Sequence, residues 1–214
     1  MKSPKAIIFD MDGVLLDTES ICDKTWEIAA GEFGISNFAE AINLCRGTNR
    51  NDSILILKQK YGKSFPATKF LERTLELFYE VEFSTGIPLM FFAKEILEYL
   101  RPKYKIALAS STPNASVKRQ LTNAGLIHFF DKCITGDMVQ QGKPAPDIYL
   151  LASKSIGELP ENCVAIEDSP NGIKSASCAG MKTILIPDRT PPSEEIINIS
   201  DMVLKNLQEL TRIL

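Results

Sequence analysis

Short apolar runs of β-forming residues recur at positions 5–9, 105–109, 132–135, 163–166 and 182–186, and the later ones are separated by helix-like stretches. Strands this uniformly apolar, alternating with helices, predict a parallel sheet covered on both faces. The first interval breaks the rhythm, because about 95 residues lie between the first strand and the second, far more than one crossover needs. The chain is therefore expected to carry an insertion in an α/β, Rossmann-like core.

The inserted stretch reads as helical. Apolar residues recur near every 3.6 positions over 19–31, 52–61 and 67–82, and Pro66-Ala-Thr68 and Gly86-Ile-Pro88 supply breaks. The expected organisation is a catalytic core of residues 1–16 and 86–214 with an α-helical cap domain of residues 17–85. A crossover helix is predicted over 91–100. Residues 187–193 read as a loop, 201–204 as an edge strand and 206–214 as a closing helix.

Reactive side chains follow the strands. Asp10-Met-Asp12-Gly13 comes after the first, Ser110-Ser-Thr112 after the second, and Glu167-Asp168-Ser169 after the fourth, while Gly142-Lys143 precedes the helix expected at Pro144. Open parallel sheets bind ligands outside the carboxyl ends of their strands, so these distant positions are expected to converge on one pocket. Crowded carboxylates repel one another unless a cation sits among them, and an all-oxygen set suits Mg²⁺. With a phosphate held by the metal and Lys143, Asp10 can attack phosphorus. Asp12 can protonate the leaving oxygen and then deprotonate water, and Gly13 permits the tight turn this requires.

Several other functions are excluded. A net charge of −3 without clustered Lys or Arg gives no footprint for nucleic acid. No apolar run approaches the roughly 20 residues of a membrane span. The opening residues end their apolar run at Asp10, so no secretory segment is read there, and a cytoplasmic location is expected. The 5 cysteines, scattered and free of C-x-x-C pairs, are expected to be reduced thiols. A single histidine, His128 between apolar neighbours, reads as structural and leaves no His-based triad or zinc site. An EF-hand loop starting at Asp10 would need Glu where Ile21 stands, and a P-loop ending at Lys143 would need Ser or Thr where Pro144 stands.

Taken in order, Asp10-Met-Asp-Gly-Val-Leu-Leu-Asp-Thr18, Ser110, Gly142-Lys-Pro-Ala-Pro-Asp147 and Glu167-Asp-Ser-Pro-Asn-Gly172 resemble the four motifs of the haloacid dehalogenase superfamily. The resemblance is to the branch of β-phosphoglucomutase and small sugar-phosphate phosphatases, and it extends to the placement of the cap between the first motif and the second. It implies Asp10 as nucleophile and Asp12 as general acid/base. It further implies Ser110, Ser111 and Lys143 as phosphate ligands, and a Mg²⁺ site made by Asp10, Asp12, Glu167 and Asp168. In the cap, Arg50 aligns with an arginine that grips the substrate's second phosphate in the mutase, with an ion pair to Asp52 as the competing reading; Arg46 lies in the same loop.

The mutase pattern carries a histidine where this chain has Cys22 and a lysine where it has Pro113, and Asp17-Thr-Glu19 is more like the phosphatases. The expected activity is therefore hydrolysis of a small phosphorylated metabolite by a monomer, with the phosphomutase reaction as the alternative. A non-catalytic binding module would be expected to have lost Asp10, Asp12 or Asp168, and all are present.

Overall fold

The computed structural model describes residues 4–45, 50–189 and 191–214. They fall into two compact units: Met1–Asp17 with Pro88–Leu214, and Thr18–Ile87.

The larger unit is built on strands β1 (Ala6–Phe9), β2 (Lys105–Ser110), β3 (Lys132–Thr135), β4 (Cys163–Glu167), β5 (Lys182–Leu185) and β6 (Met202–Val203). They form one parallel sheet in the order β3-β2-β1-β4-β5-β6. The chain builds outward from β1 on one side, then returns to β4 on the other, which makes the carboxyl ends of β1, β2 and β4 neighbours at the switch of direction. Register fixes this closely, since Phe9 pairs with Leu108 on one side and Ile166 on the other. All of β1 is buried, as a strand at the centre of a sheet covered on both faces must be.

On one face, Ala107, Ala109 and Ala165 keep the sheet surface low. The helices α7 (Asp147–Ser155) and α8 (Pro170–Cys178) fill the space above them with Ile148, Tyr149, Ala152 and Ala176. The remaining helices of this unit are α5 (Ala93–Leu100), α6 (Asn114–Asn123) and α9 (Glu194–Ile199). The chain leaves and re-enters the unit at one place, where Asp17 N donates to Pro88 O at 2.9 Å and Met90 N to Leu15 O at 3.0 Å.

The second unit consists of α1 (Thr18–Glu32), α2 (Phe38–Cys45), α3 (Arg50–Tyr61) and α4 (Ala67–Thr85). Its core is aromatic: the Phe70 ring meets Trp26 at 5.1 Å and Phe33 at 5.4 Å, both edge to face. Among the described residues, no helix in either unit is long and apolar enough to cross a membrane.

Three local expectations change. The closing segment forms a 3₁₀ helix over Leu207–Arg212 rather than an α-helix, with Leu207 and Leu210, one 3₁₀ turn apart, as its buried anchors. The crossover helix starts at Ala93 because Phe92 adopts a left-handed conformation, φ 66°, that ends the preceding turn. Helices α2 and α9 are additional; α9 is started by Ser193, whose side chain accepts from Ile196 N.

Candidate active site

Asp10 continues β1 by one residue, with its N–H donating to Ile166 O at 2.9 Å. Its side chain thus emerges between the ends of β2 and β4, and the residue is only 6% exposed. Lys143, buried beside it, donates to Asp10 Oδ1 at 2.5 Å, Glu167 Oε1 at 2.6 Å and Ala109 O at 2.9 Å. These bonds use all three donors of the ammonium.

Glu167, the last residue of β4, has no exposed surface. Besides Lys143, its Oε1 accepts from the Tyr149 hydroxyl at 2.8 Å. Its Oε2 accepts from Asp168 N, Ser169 N and Ser169 Oγ at 3.1, 3.2 and 3.0 Å. Ser169 also caps α8 by accepting from Gly172 N, with Pro170 in the first turn. A Cβ at Gly172 would overlap the Glu167 carboxylate, so glycine is required there.

Asp12 sits in a tight turn closed by Gly13 N to Leu16 O and Leu15 N to Met11 O, both 2.9 Å. Gly13 has φ 74° and lies so close to Asp168 that a side chain would strike its carboxylate. The Asp12 carboxylate accepts at Oδ2 from Thr112 Oγ1 at 2.8 Å and Ser110 Oγ at 3.3 Å.

The electrostatics are those of too many carboxylates for one ammonium. Burial first, then Glu167 and Asp12, push the Asp10 pKa up to about 8 against the pull of Lys143. Burial, Glu167 and Asp10 push Asp168 well above the usual carboxylate range. Burial alone would favour a neutral Lys143, but Asp10 and Glu167 outweigh it and hold its pKa well above normal. An added cation would let these acids ionise together. Oxygens of Asp10, Glu167 and Asp168 lie within 4.8 Å of one another, and this all-oxygen set fits a hard divalent ion.

Asp10, Lys143, Glu167 and Asp168 are thus assembled, with Asp12 in the turn after β1 and Ser110 at the end of β2 bonded to each other beside them. Ser111 is exposed, and its carbonyl packs against Gly136. Arg50 stands in the first turn of α3 in the other unit and pairs with Glu72 of α4 at 3.1 Å, a partner not foreseen in the sequence. Arg46 lies outside the described residues. Thr112, Tyr149 and Ser169 also join the network. Thr112 was signalled by its place two positions beyond Ser110, and Ser169 by its place before Pro170. For Tyr149 the only signal is that a buried tyrosine hydroxyl needs a partner.

The haloacid dehalogenase-like hydrolase family model matches residues 7–186. A relative from Thermotoga maritima named a phosphorylated carbohydrates phosphatase is 33% identical over 181 residues, covering 84% of this chain and 83% of its own. The fructose-1-phosphate phosphatase of Escherichia coli is 29% identical, covering 83% and 94% respectively. Among solved structures, the protein CbbY of Rhodobacter sphaeroides in complex with phosphate superposes with a TM-score of 0.75 at 26% identity, over 97% of this chain and 96% of that one. The family match runs from β1 to the end of β5 and takes in Asp10, Asp12, Ser110, Lys143, Glu167 and Asp168, so the chain belongs to the haloacid dehalogenase-like hydrolases.

Proposed function

We propose that this protein is a Mg²⁺-dependent phosphatase that hydrolyses a small phosphorylated sugar through an aspartyl-phosphate on Asp10. The observation that carries the reading is the separate handling of two aspartates two residues apart. Asp10 is held by Lys143 within the acidic cluster, whereas Asp12 is tied to the hydroxyls of Ser110 and Thr112. One is placed to form a bond to phosphorus and the other to move a proton.

The substrate phosphate is bound by the Ser110-Ser111 segment and by Lys143, which exchanges one of its three present acceptors for a phosphate oxygen. Asp10 attacks phosphorus while Asp12 gives its proton to the departing sugar oxygen, so the P–O bond breaks and the sugar leaves as an alcohol. Asp12, now ionised, takes a proton from the water that attacks the aspartyl-phosphate. Inorganic phosphate departs and both aspartates return to their starting states. Asp10, Glu167 and Asp168, with the backbone carbonyl of Asp12, would hold a Mg²⁺ ion, which would supply positive charge to offset the phosphate and the crowded carboxylates.

The unit Thr18–Ile87 is assigned the role of a cap that reads the rest of the substrate. Two similar proteins are named as phosphatases of phosphorylated carbohydrates and of fructose 1-phosphate, which supports a sugar phosphate. The pairing of Arg50 with Glu72 supports a substrate with one phosphate rather than two, and so favours hydrolysis over the mutase reaction.

The test is phosphate release from a panel of sugar phosphates with Mg²⁺, comparing the native protein with Asp10→Asn. Release by the first and not the second is expected, and equal inertness across the panel would refute it. Incubation with β-glucose 1-phosphate and a trace of the bisphosphate separates the alternatives. Isomerised product without free phosphate would establish the mutase instead.

A further inference from the structure

The contacts of Asp12 point to a residue that sequence motifs leave without a role. Thr112 Oγ1 lies 2.8 Å from Asp12 Oδ2, the usual length of a good hydroxyl hydrogen bond, while Ser110 Oγ is longer at 3.3 Å. Ser110 Oγ also accepts from Thr112 N at 3.1 Å, so the two residues are tied to each other as well as to the aspartate.

The loop that carries Thr112 is braced from behind. Thr112 O accepts from Gly136 N at 3.4 Å, and a Cβ at Gly136 would overlap the Ser111 carbonyl, so glycine is what lets β3's exit approach the loop this closely. Asp12 is braced in turn by the hydrogen bonds across its own tight turn. Two fixed backbones therefore present a hydroxyl and a carboxylate to each other. Because both hydroxyls meet the same oxygen, they restrict rotation of the carboxyl group about its own bond.

We infer that Thr112 is the positioning residue for Asp12, holding its carboxyl group in the orientation that delivers a proton to the leaving oxygen. The inference rests on the reading of Asp12 as the acid/base. A hydroxyl suits the task because it donates to a carboxylate and can turn to accept from a carboxylic acid. The contact therefore persists when Asp12 gives its proton to the leaving group and when it recovers one from water. A side chain without a hydroxyl at position 112 would remove the shorter of these two hydroxyl bonds and keep the longer one from Ser110.

The test compares native protein, Thr112→Val and Thr112→Ser, with Mg²⁺, on two probes. Phenyl phosphate has a poor leaving group that needs a proton, and 2,4-dinitrophenyl phosphate has one that departs readily as an anion. Thr112→Val is expected to lower the first-turnover rate of phenol release from phenyl phosphate by about tenfold or more with KM unchanged, and to leave the first-turnover release of dinitrophenolate within about twofold, because only the first of these transfers draws on the acid, whereas the later attack of water is common to both. Thr112→Ser is expected to recover the phenyl phosphate rate. The dinitrophenyl ester also reports that the valine variant is folded and binds phosphate.

Equal losses on both probes, a change in KM alone, or no change would overturn the positioning role while leaving the phosphatase reading intact. If native protein and Asp10→Asn were equally inert on both probes, the phosphatase reading itself would fall and this role with it.

Discussion

Replacing Lys143 with methionine keeps most of the side chain's length and removes the positive charge that, among the described residues, lies within bonding distance of both Asp10 and Glu167. The Lys143 side chain is only 7% exposed, so water cannot take over its role. Removing one partner of a buried ion pair costs about 3–5 kcal/mol, and the lower end applies here because Asp10, whose pKa already stands at about 8, can take up a proton in compensation. For a protein of this size 1 kcal/mol shifts the melting temperature by about 2–4 °C, so a loss of about 6–12 °C is expected. The control is Lys182→Met, which breaks the surface pair with Asp201; that pair is 2.7 Å long but well exposed on both sides. An exposed pair contributes at most about 1 kcal/mol, so the control should move by less than about 4 °C. Thermal melts followed by circular dichroism, in chelator and then in Mg²⁺, give both quantities. Mg²⁺ should stabilise Lys143→Met more than the native protein, because a second cation relieves the uncompensated carboxylates. If the two lysine variants melted together in chelator, the account of Lys143 as the counter-charge of the site would be wrong.

Two further outcomes concern pH and the cap. The folded pKa of Asp10 is raised from its usual carboxylate value of 3.8 to about 8, so its contribution to stability is full below the lower value and is lost as pH rises between the two. Metal-free protein should therefore be less stable at pH 8 than at pH 6 in denaturant titrations, by up to about 1.4 kcal/mol per pH unit from this group; a rise in stability over that range would contradict the shift. Arg50→Ala should leave kcat/KM for sugar monophosphates within about threefold, since Arg50 is spent on a half-exposed pair with Glu72; a loss of about a hundredfold would instead place it on the substrate.

The parts of the site that could be read in the sequence are those fixed by local pattern. An apolar strand ending in Asp10, a second ending at Ser110 and a third running into Glu167-Asp168 each carry their own signal, and parallel-sheet topology brings their ends together. Lys143 is legible through the Gly and Pro residues around it. What could not be read are contacts made only by the folded chain. Tyr149 reaches Glu167 across 18 positions, and Arg50 meets Glu72 across 22, with nothing in either neighbourhood to name the partner. The short helix α2 was missed because eight residues are too few to establish a period, and the 3₁₀ turn at Leu207–Arg212 because two anchors three apart fit either helix type.

The most direct test of the central claim is to trap the covalent intermediate. Protein with Mg²⁺ and a hydrolysed sugar phosphate is quenched in acid during turnover, digested, and the phosphorylated peptide sequenced by mass spectrometry. The account predicts an acid-stable, base-labile phosphate on Asp10, absent from Asp10→Asn. Phosphate found on any other residue, or rapid turnover by Asp10→Asn, would contradict it.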